Sequence, residues 1–233
     1  MYDKNVQEIL MQIKEEDIVL DVGGWFRPFN RANWIIDFMP YKTRGTGGID
    51  GPGKEYFTKE TWIQRDICDR QRFPFRDKEI DFVICSHTLE DVRDPVFVCS
   101  EICRVAKKGY IETPSKIAEL SYGIESRHYA GYHHHRWIVE IKDNKIYFLV
   151  KPSFINAYWK YHFPSSYGRY LKEEGRIQYL FWKDSFEYEE IKLIDCGELM
   201  NKIETLVSSQ HVYRGYRYQI EKLKDLLRKK INF

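Results

Sequence analysis

Residues 17–24 read DIVLDVGG, an apolar run of strand length that ends in an acid and a glycine pair. Ile18, Val19, Leu20 and Val22 follow the charged segment Lys14-Glu15-Glu16-Asp17, the pattern of a strand buried on both faces of a parallel sheet. Asp21 then lies near the carboxyl end of that strand, where an open α/β sheet forms its ligand crevice, and Gly23 and Gly24 let backbone approach a ligand without Cβ interference. A dinucleotide fingerprint would need further glycines in the next few positions, which instead hold Trp25, Phe26, Pro28 and Phe29. A carboxylate inside the turn repels a pyrophosphate and attracts an ammonium or sulfonium. The turn therefore favours a cationic nucleoside over NAD.

Working outward, Val6, Ile9, Leu10 and Ile13 fall at helical spacing ahead of the first strand. Trp34-Ile35-Ile36 gives a second strand ending in Asp37, close to the spacing at which α/β nucleotide folds place an acid on ribose hydroxyls. The glycine-rich stretch 42–54, KTRGTGGIDGPGK, reads as a mobile loop near the ligand end of the sheet. Residues 62–67, WIQRDI, give a third strand with Asp66 near its end. Residues 80–85, IDFVIC, give a fourth, ending at Ser86 and His87. Helical stretches follow, broken at Pro95 and stopped at Gly109, before a fifth strand at Tyr110–Thr113 closed by Pro114. This order predicts an α/β, Rossmann-like, doubly wound and mainly parallel sheet.

Beyond Ser115 the pattern changes. Residues 137–141 and 146–150 flank an Asp-Asn turn and read as a β-hairpin, residues 154–170 are rich in aromatics, and strands are expected at 177–182 and 186–191. A basic helix is expected over Gln219 to Lys230. The expected organisation is a core over 1–115, a hairpin and substrate-cap insertion over 116–175, and completion of the sheet with a C-terminal helix over 176–233.

Composition narrows the function. Lys plus Arg number 37 against 35 for Asp plus Glu, so a formal charge of +2 gives no basic footprint for nucleic acid or anionic lipid. Five cysteines without framework spacing suit reduced thiols of a cytoplasmic protein, and no apolar run is long enough to cross a bilayer. Cys99 and Cys103 share a helix face but have no partner pair, and they read as core.

On these segments, residues 17–114 resemble a class I S-adenosylmethionine-dependent methyltransferase of the methyltransferase type 11 group. The most specific matches are FPFRDKEIDFVICSHTLEDVRDP at 73–95 and EICRVAKKGYIETPS at 101–115, joined by VLDVGG at 19–24, IID at 35–37 and RDICD at 65–69. The resemblance implies S-adenosylmethionine as cofactor, with Asp21, Gly23 and Gly24 on its methionine portion and Asp37 on its ribose. It further implies Asp66 and Ile67 beside the adenine and Ser86 and His87 near the reactive methyl. Trp25 and Phe38 are counted among the cofactor-lining residues. Three departures stand out: Trp25 replaces a loop glycine, Asp91 replaces a His, and Gly109-Tyr110 replaces a Gly-Gly pair.

Methyl transfer from a sulfonium needs alignment first, and a base only when the acceptor must lose a proton. His87, His128 and His133 are the candidate catalytic groups; in an extended run, His133 and His135 face one way and His134 the other. Those histidines with Glu125 or His128 could hold a divalent ion, yet consecutive residues rarely converge on one, so no metal centre is expected. Tyr158, Trp159, Tyr161 and Phe163 would either stack on a sugar or nucleobase or pack on one another. Without an Asp-Pro-Pro-Tyr motif or a Pro-Cys dipeptide, a small-molecule or glycan acceptor is expected rather than nucleic acid. The alternative is a non-catalytic binding or regulatory protein with the same fold; a dehydrogenase ranks third.

Overall fold

A computed structural model of the chain describes residues 1–192, 195–209, 219–220 and 223. Helix α1 (Asp3–Gln12) buries Val6 and Ile9, one turn apart, and precedes β1 (Val19–Val22). Strands β2 (Trp34–Asp37), β3 (Trp62–Gln64), β4 (Phe82–Ser86) and β5 (Lys108–Pro114) join β1 in a parallel sheet. With β8 (Ile177–Lys183) the order is β3-β2-β1-β4-β5-β8, and β8 alone runs antiparallel. The expected Rossmann-like α/β sheet is therefore present.

Period-two alternation divides the core between the two faces. Val19, Ile35, Phe82, Ile84 and Tyr110 pack with Val6 and Ile9 of α1. Leu20, Val22, Ile36, Val83, Cys85 and Ile111 pack with Val98, Ile102 and Val105 of α2 (Pro95–Val105). Asp21 lies between Leu20 and Val22, on the α1 side of the sheet, and pairs in register with Ile35 and Ile84.

Two expected breaks are relocated. Pro95 does not interrupt a helix but opens α2, where the missing N–H costs nothing and the Asp94 side chain accepts from Phe97 N at 3.1 Å. Gly109 is not a helix stop, since α2 ends at Val105 and Gly109 belongs to β5. A Cβ on Gly109 would come within 2.5 Å of both Val83 Cγ1 and Val83 O. Close approach of β5 to β4 therefore requires glycine there. The crossover from β1 to β2, residues 23–33, contains no helix. The glycine-rich stretch expected to be mobile is also anchored: Asp50 is buried, its N–H donates to Pro28 O and its carbonyl accepts from Asn30 N, each at 2.9 Å.

The hairpin forms as expected from β6 (Trp137–Lys142) and β7 (Lys145–Val150). Asp143 and Asn144 at its turn have φ of 51° and 60°, the left-handed pair that matches strand twist. Strand β9 (Glu187–Glu190) adds parallel to β7, so the chain closing the central sheet through β8 continues into a second sheet, β6-β7-β9. Short helices α3 (Lys116–Glu119), α4 (Ser165–Tyr170) and α5 (Glu173–Arg176) punctuate the connections. Helix α6 (Cys196–Ser209) buries Leu199, Ile203 and Val207 at four-residue intervals, a pattern present but unread in the sequence. Tyr161 and Phe163 are buried in the same cluster as α6, so the aromatic segment packs on itself there. The basic helix expected over Gln219 to Lys230 lies, but for three residues, outside the described residues. Among the described residues no helix is long and apolar enough to cross a membrane.

Gly109→Ala is expected to lower unfolding free energy by about 1–3 kcal/mol through overpacking against β4, measured by urea denaturation. Wild-type stability in that variant would show that β4 and β5 can separate without cost.

Candidate functional site

A cleft of about 810 Å³ opens at the carboxyl ends of β1, β2 and β4. Ligand pockets run roughly 300–1,000 Å³, so this one has room for a nucleoside-sized cofactor beside a second molecule. All ten residues expected at the cofactor site line this cleft: Asp21, Gly23, Gly24, Trp25, Asp37, Phe38, Asp66, Ile67, Ser86 and His87. Of the other two candidate catalytic histidines neither does. His128 borders a separate pocket with Gly123 and Arg169, and His133 points to Glu125 and Tyr129 on the exterior. The alternation expected of an extended run fails because 133–135 do not form a strand. His134 and His135 reach the cleft instead.

Asp21 is 3% exposed and accepts from Phe29 N at 2.9 Å through Oδ2. Burial raises its pKa; the Phe29 N–H opposes this, Asp50 and Asp37 add to it, and the carboxyl settles at about 7. The glycine pair serves the chain itself before any ligand. Gly23 has φ +80° and a Cβ there would meet Thr88 Oγ1 at 2.1 Å, while one on Gly24 would meet Asp21 Oδ2 at 2.3 Å.

Asp37 is held by two backbone donors, Trp25 N to Oδ2 at 3.0 Å and Met39 N to Oδ1 at 2.7 Å. Burial nevertheless raises its pKa over the lowering by those N–H groups. Trp25 is thus where the first loop grips the second strand end, and its indole N–H also donates to Thr43 Oγ1 at 3.0 Å. Asp66 accepts from Cys68 N at 2.8 Å and from Arg93 Nη1 at 2.7 Å. Each of these carboxylates keeps lone pairs for a ligand, since none of its oxygens takes more than one of these donors.

The floor is built from residues that sequence reasoning missed. Glu112 of β5 is fully buried, with Ser86 Oγ at 3.2 Å, His87 Nε2 at 3.1 Å and the Tyr2 N–H at 3.0 Å. The Tyr110 hydroxyl donates to it as well, and the N-terminal ammonium lies 4.0 Å away. Burial pushes Glu112 up, but the His87 hydrogen bond and charge, the Tyr110 hydroxyl and the ammonium outweigh it and bring the pKa to about 2. Its signal in the sequence was a glutamate inside an otherwise apolar strand. His87, at φ +52°, also sits 3.4 Å from Glu90 Oε1. Burial depresses its pKa, yet the hydrogen bonds and charges of Glu112 and Glu90 raise it to about 9. His87 is therefore an imidazolium at neutral pH and no ready base.

Eight carboxylates line the cleft, from Asp21 to Glu173, against Arg27, the histidines and the N-terminal ammonium. Residues 23–33 present no helix N-terminus to a phosphate. The chemistry of this donor set suits a cation, and the ammonium and sulfonium of S-adenosylmethionine fit it.

Residues 52–111 match the sequence profile of the family described as a methyltransferase domain. No curated protein matches. Among solved structures, an S-adenosylmethionine-dependent methyltransferase from Mesorhizobium loti aligns at 15% identity over 64% of this chain and 63% of its own, with a TM-score of 0.37. Another from Aquifex aeolicus aligns at 18% identity over 48% of this chain and 65% of its own, with a TM-score of 0.33. The chain thus spans less than two thirds of either.

The pairing of His87 with Glu112 predicts a stability window. Glu112, depressed from 4.5 to about 2, contributes fully above its unfolded value and loses that contribution as pH falls toward 2. His87, raised from 6.5 to about 9, contributes fully below 6.5 and loses it as pH rises through 9. The melting temperature should fall between pH 6 and pH 9.5, and His87→Gln should flatten that decline; an equal decline in the variant would separate it from His87. The strand-end acids follow the expected order around the cleft, and the stretch that carries Asp66, Ser86 and His87 falls within the segment matching the methyltransferase-domain profile.

Proposed function

We propose that this chain is an S-adenosylmethionine-dependent methyltransferase that moves a methyl group to oxygen or nitrogen of a small-molecule or glycan-type acceptor, acting in the cytoplasm. The observation that carries this reading is the acid-lined cleft, where Asp21, Asp37 and Asp66 stand in order at successive sites around one crevice. Asp21 would face the methionine ammonium, Asp37 the ribose hydroxyls, and Asp66 with Ile67 the adenine, with Gly23, Gly24, Trp25 and Phe38 closing around them. Bound S-adenosylmethionine supplies an electrophilic methyl whose leaving group departs neutral.

The residues of the chain then have positioning work to do. Ser86 and His87 hold the floor through Glu112, with the His87 imidazolium fixed there by Nε2 on Glu112 and Nδ1 toward Glu90. Glu125, Tyr132, His134, His135 and Glu173 also line the cleft, which supports the assignment of 116–175 to an acceptor-enclosing insertion between a core at 1–115 and the remaining segment 176–233. A fold of this kind that binds the cofactor without turnover would show binding and no product.

Asp37→Ala is expected to reduce S-adenosylmethionine affinity by at least tenfold in calorimetric titration, about the 1.4 kcal/mol of one charged hydrogen bond at the low end. Unchanged affinity, or no saturable binding by the wild type, would overturn the assignment. Because Asp21 ionises near pH 7, affinity should rise roughly tenfold from pH 6 to pH 8, as the carboxylate fraction rises. Asp21→Asn should bind weakly with no such slope, and a slope that persists in it would exclude Asp21 as the group facing the cation.

A further inference from the structure

We propose that Asp91, His134 and His135 form a binding site for one divalent first-row transition metal ion in the same cleft as the strand-end acids. Their ligand atoms lie within 4.8 Å of one another. His135 Nε2 is 3.8 Å from Asp91 Oδ1, and His134 Nε2 is 3.9 Å from Asp91 Oδ2. Two ligands tetrahedrally placed about 2.1 Å from one ion are roughly 3.4 Å apart, so each histidine needs to close on Asp91 by about half an ångström, and no pair of the trio by more than about 1.4 Å. Two imidazoles and one carboxylate with open positions is a donor set for zinc, iron or their neighbours rather than magnesium or calcium.

The surroundings of the trio carry the assignment. Both imidazoles turn Nε2 toward Asp91 and Nδ1 toward a glutamate. His135 Nδ1 bonds to Glu119, and His134 Nδ1 lies 3.8 Å from Glu125 Oε1. Carboxylates behind the distal nitrogen fix the tautomer and orientation of metal-binding histidines. Glu119 is itself buried and held by Lys151 Nζ at 2.7 Å, while the His135 ring, 5% exposed, stacks on Tyr132 with centroids 4.4 Å apart. At the focus of this arrangement Asp91 Oδ1 is buried and accepts no hydrogen bond, an orphaned acceptor that an ion would satisfy.

A second trio, Glu125, His133 and His134, also has its ligand atoms close together. There the Glu125 carboxylate already takes the Tyr129 hydroxyl at 2.7 Å, His133 N at 3.1 Å and His133 Nδ1 at 2.9 Å. All three contacts crowd onto Oε2, and every residue of this trio is exposed to solvent. The Asp91 trio instead opens into the cleft, where the ion's free positions would receive an oxygen ligand, and on the methyltransferase reading that ligand is the acceptor.

The full chain without an affinity tag, dialysed against chelator, should take up one equivalent of Co²⁺, read from its visible d–d absorption and displaced by Zn²⁺. Asp91→Asn and His134→Ala should abolish that absorption. Glu119→Gln should weaken binding about 10–100-fold, and His133→Ala should leave it unchanged. His134 is half-exposed, so its variant keeps the test valid if Asp91→Asn fails to fold, with far-ultraviolet circular dichroism as the check. No uptake by the wild type, uptake unaffected by Asp91→Asn and His134→Ala, or loss on His133→Ala equal to theirs would each overturn the site. Metal uptake is read without S-adenosylmethionine, so failure of this site and failure of the methyltransferase reading are separate results.

Discussion

The cleft depends on one buried charge, the Glu112 carboxylate toward the carboxyl end of β5. A fully desolvated carboxylate is tolerated only when its oxygens are occupied and its charge is met. Here Tyr110 and Ser86 supply hydroxyls, Tyr2 supplies a backbone N–H, and His87 supplies a cation. These donors come from β4, β5 and the start of α1, so satisfying one group ties three elements together at the base of the site. It also explains why His87 occupies a left-handed backbone conformation that non-glycine residues seldom adopt.

Neutralising Glu112 with His87 leaves the remaining acids of the cleft to set its field. Asp21 has one backbone N–H, and burial with the charges of Asp50 and Asp37 outweighs that N–H and the N-terminal ammonium, which leaves its pKa at about 7. Asp37 is likewise oriented by two N–H groups rather than neutralised. The cleft consequently offers two kinds of group: carboxylates aimed by backbone N–H, and imidazoles with glutamates behind them, Glu119 buried and Glu125 exposed.

Much of the fold was legible because its signals are local. Three short parallel strands could be read from apolar runs that end in acids, a fourth from the run ending at Ser86 and His87, and the hairpin from its Asp-Asn turn. The misreadings at Pro95 and Gly109 share a cause: both residues are helix punctuation by rule, but which side of the break they occupy is set by packing. Asp94 caps a helix that begins at the proline, and Val83 leaves no room for a Cβ at residue 109.

The sequence by itself determined the order of Asp21, Asp37, Asp66, Ser86 and His87 along the chain, because strand ends in a parallel sheet all open onto one edge. It could not determine that Gly23 and Gly24 make room for Thr88 and Asp21, or that Glu112 raises the pKa of His87, because those contacts join residues distant along the chain. The histidine run shows the same limit most directly. Side-chain direction in an irregular segment follows no period, so only the tertiary structure decided that His134 and His135 face Asp91 while His133 turns away to Glu125.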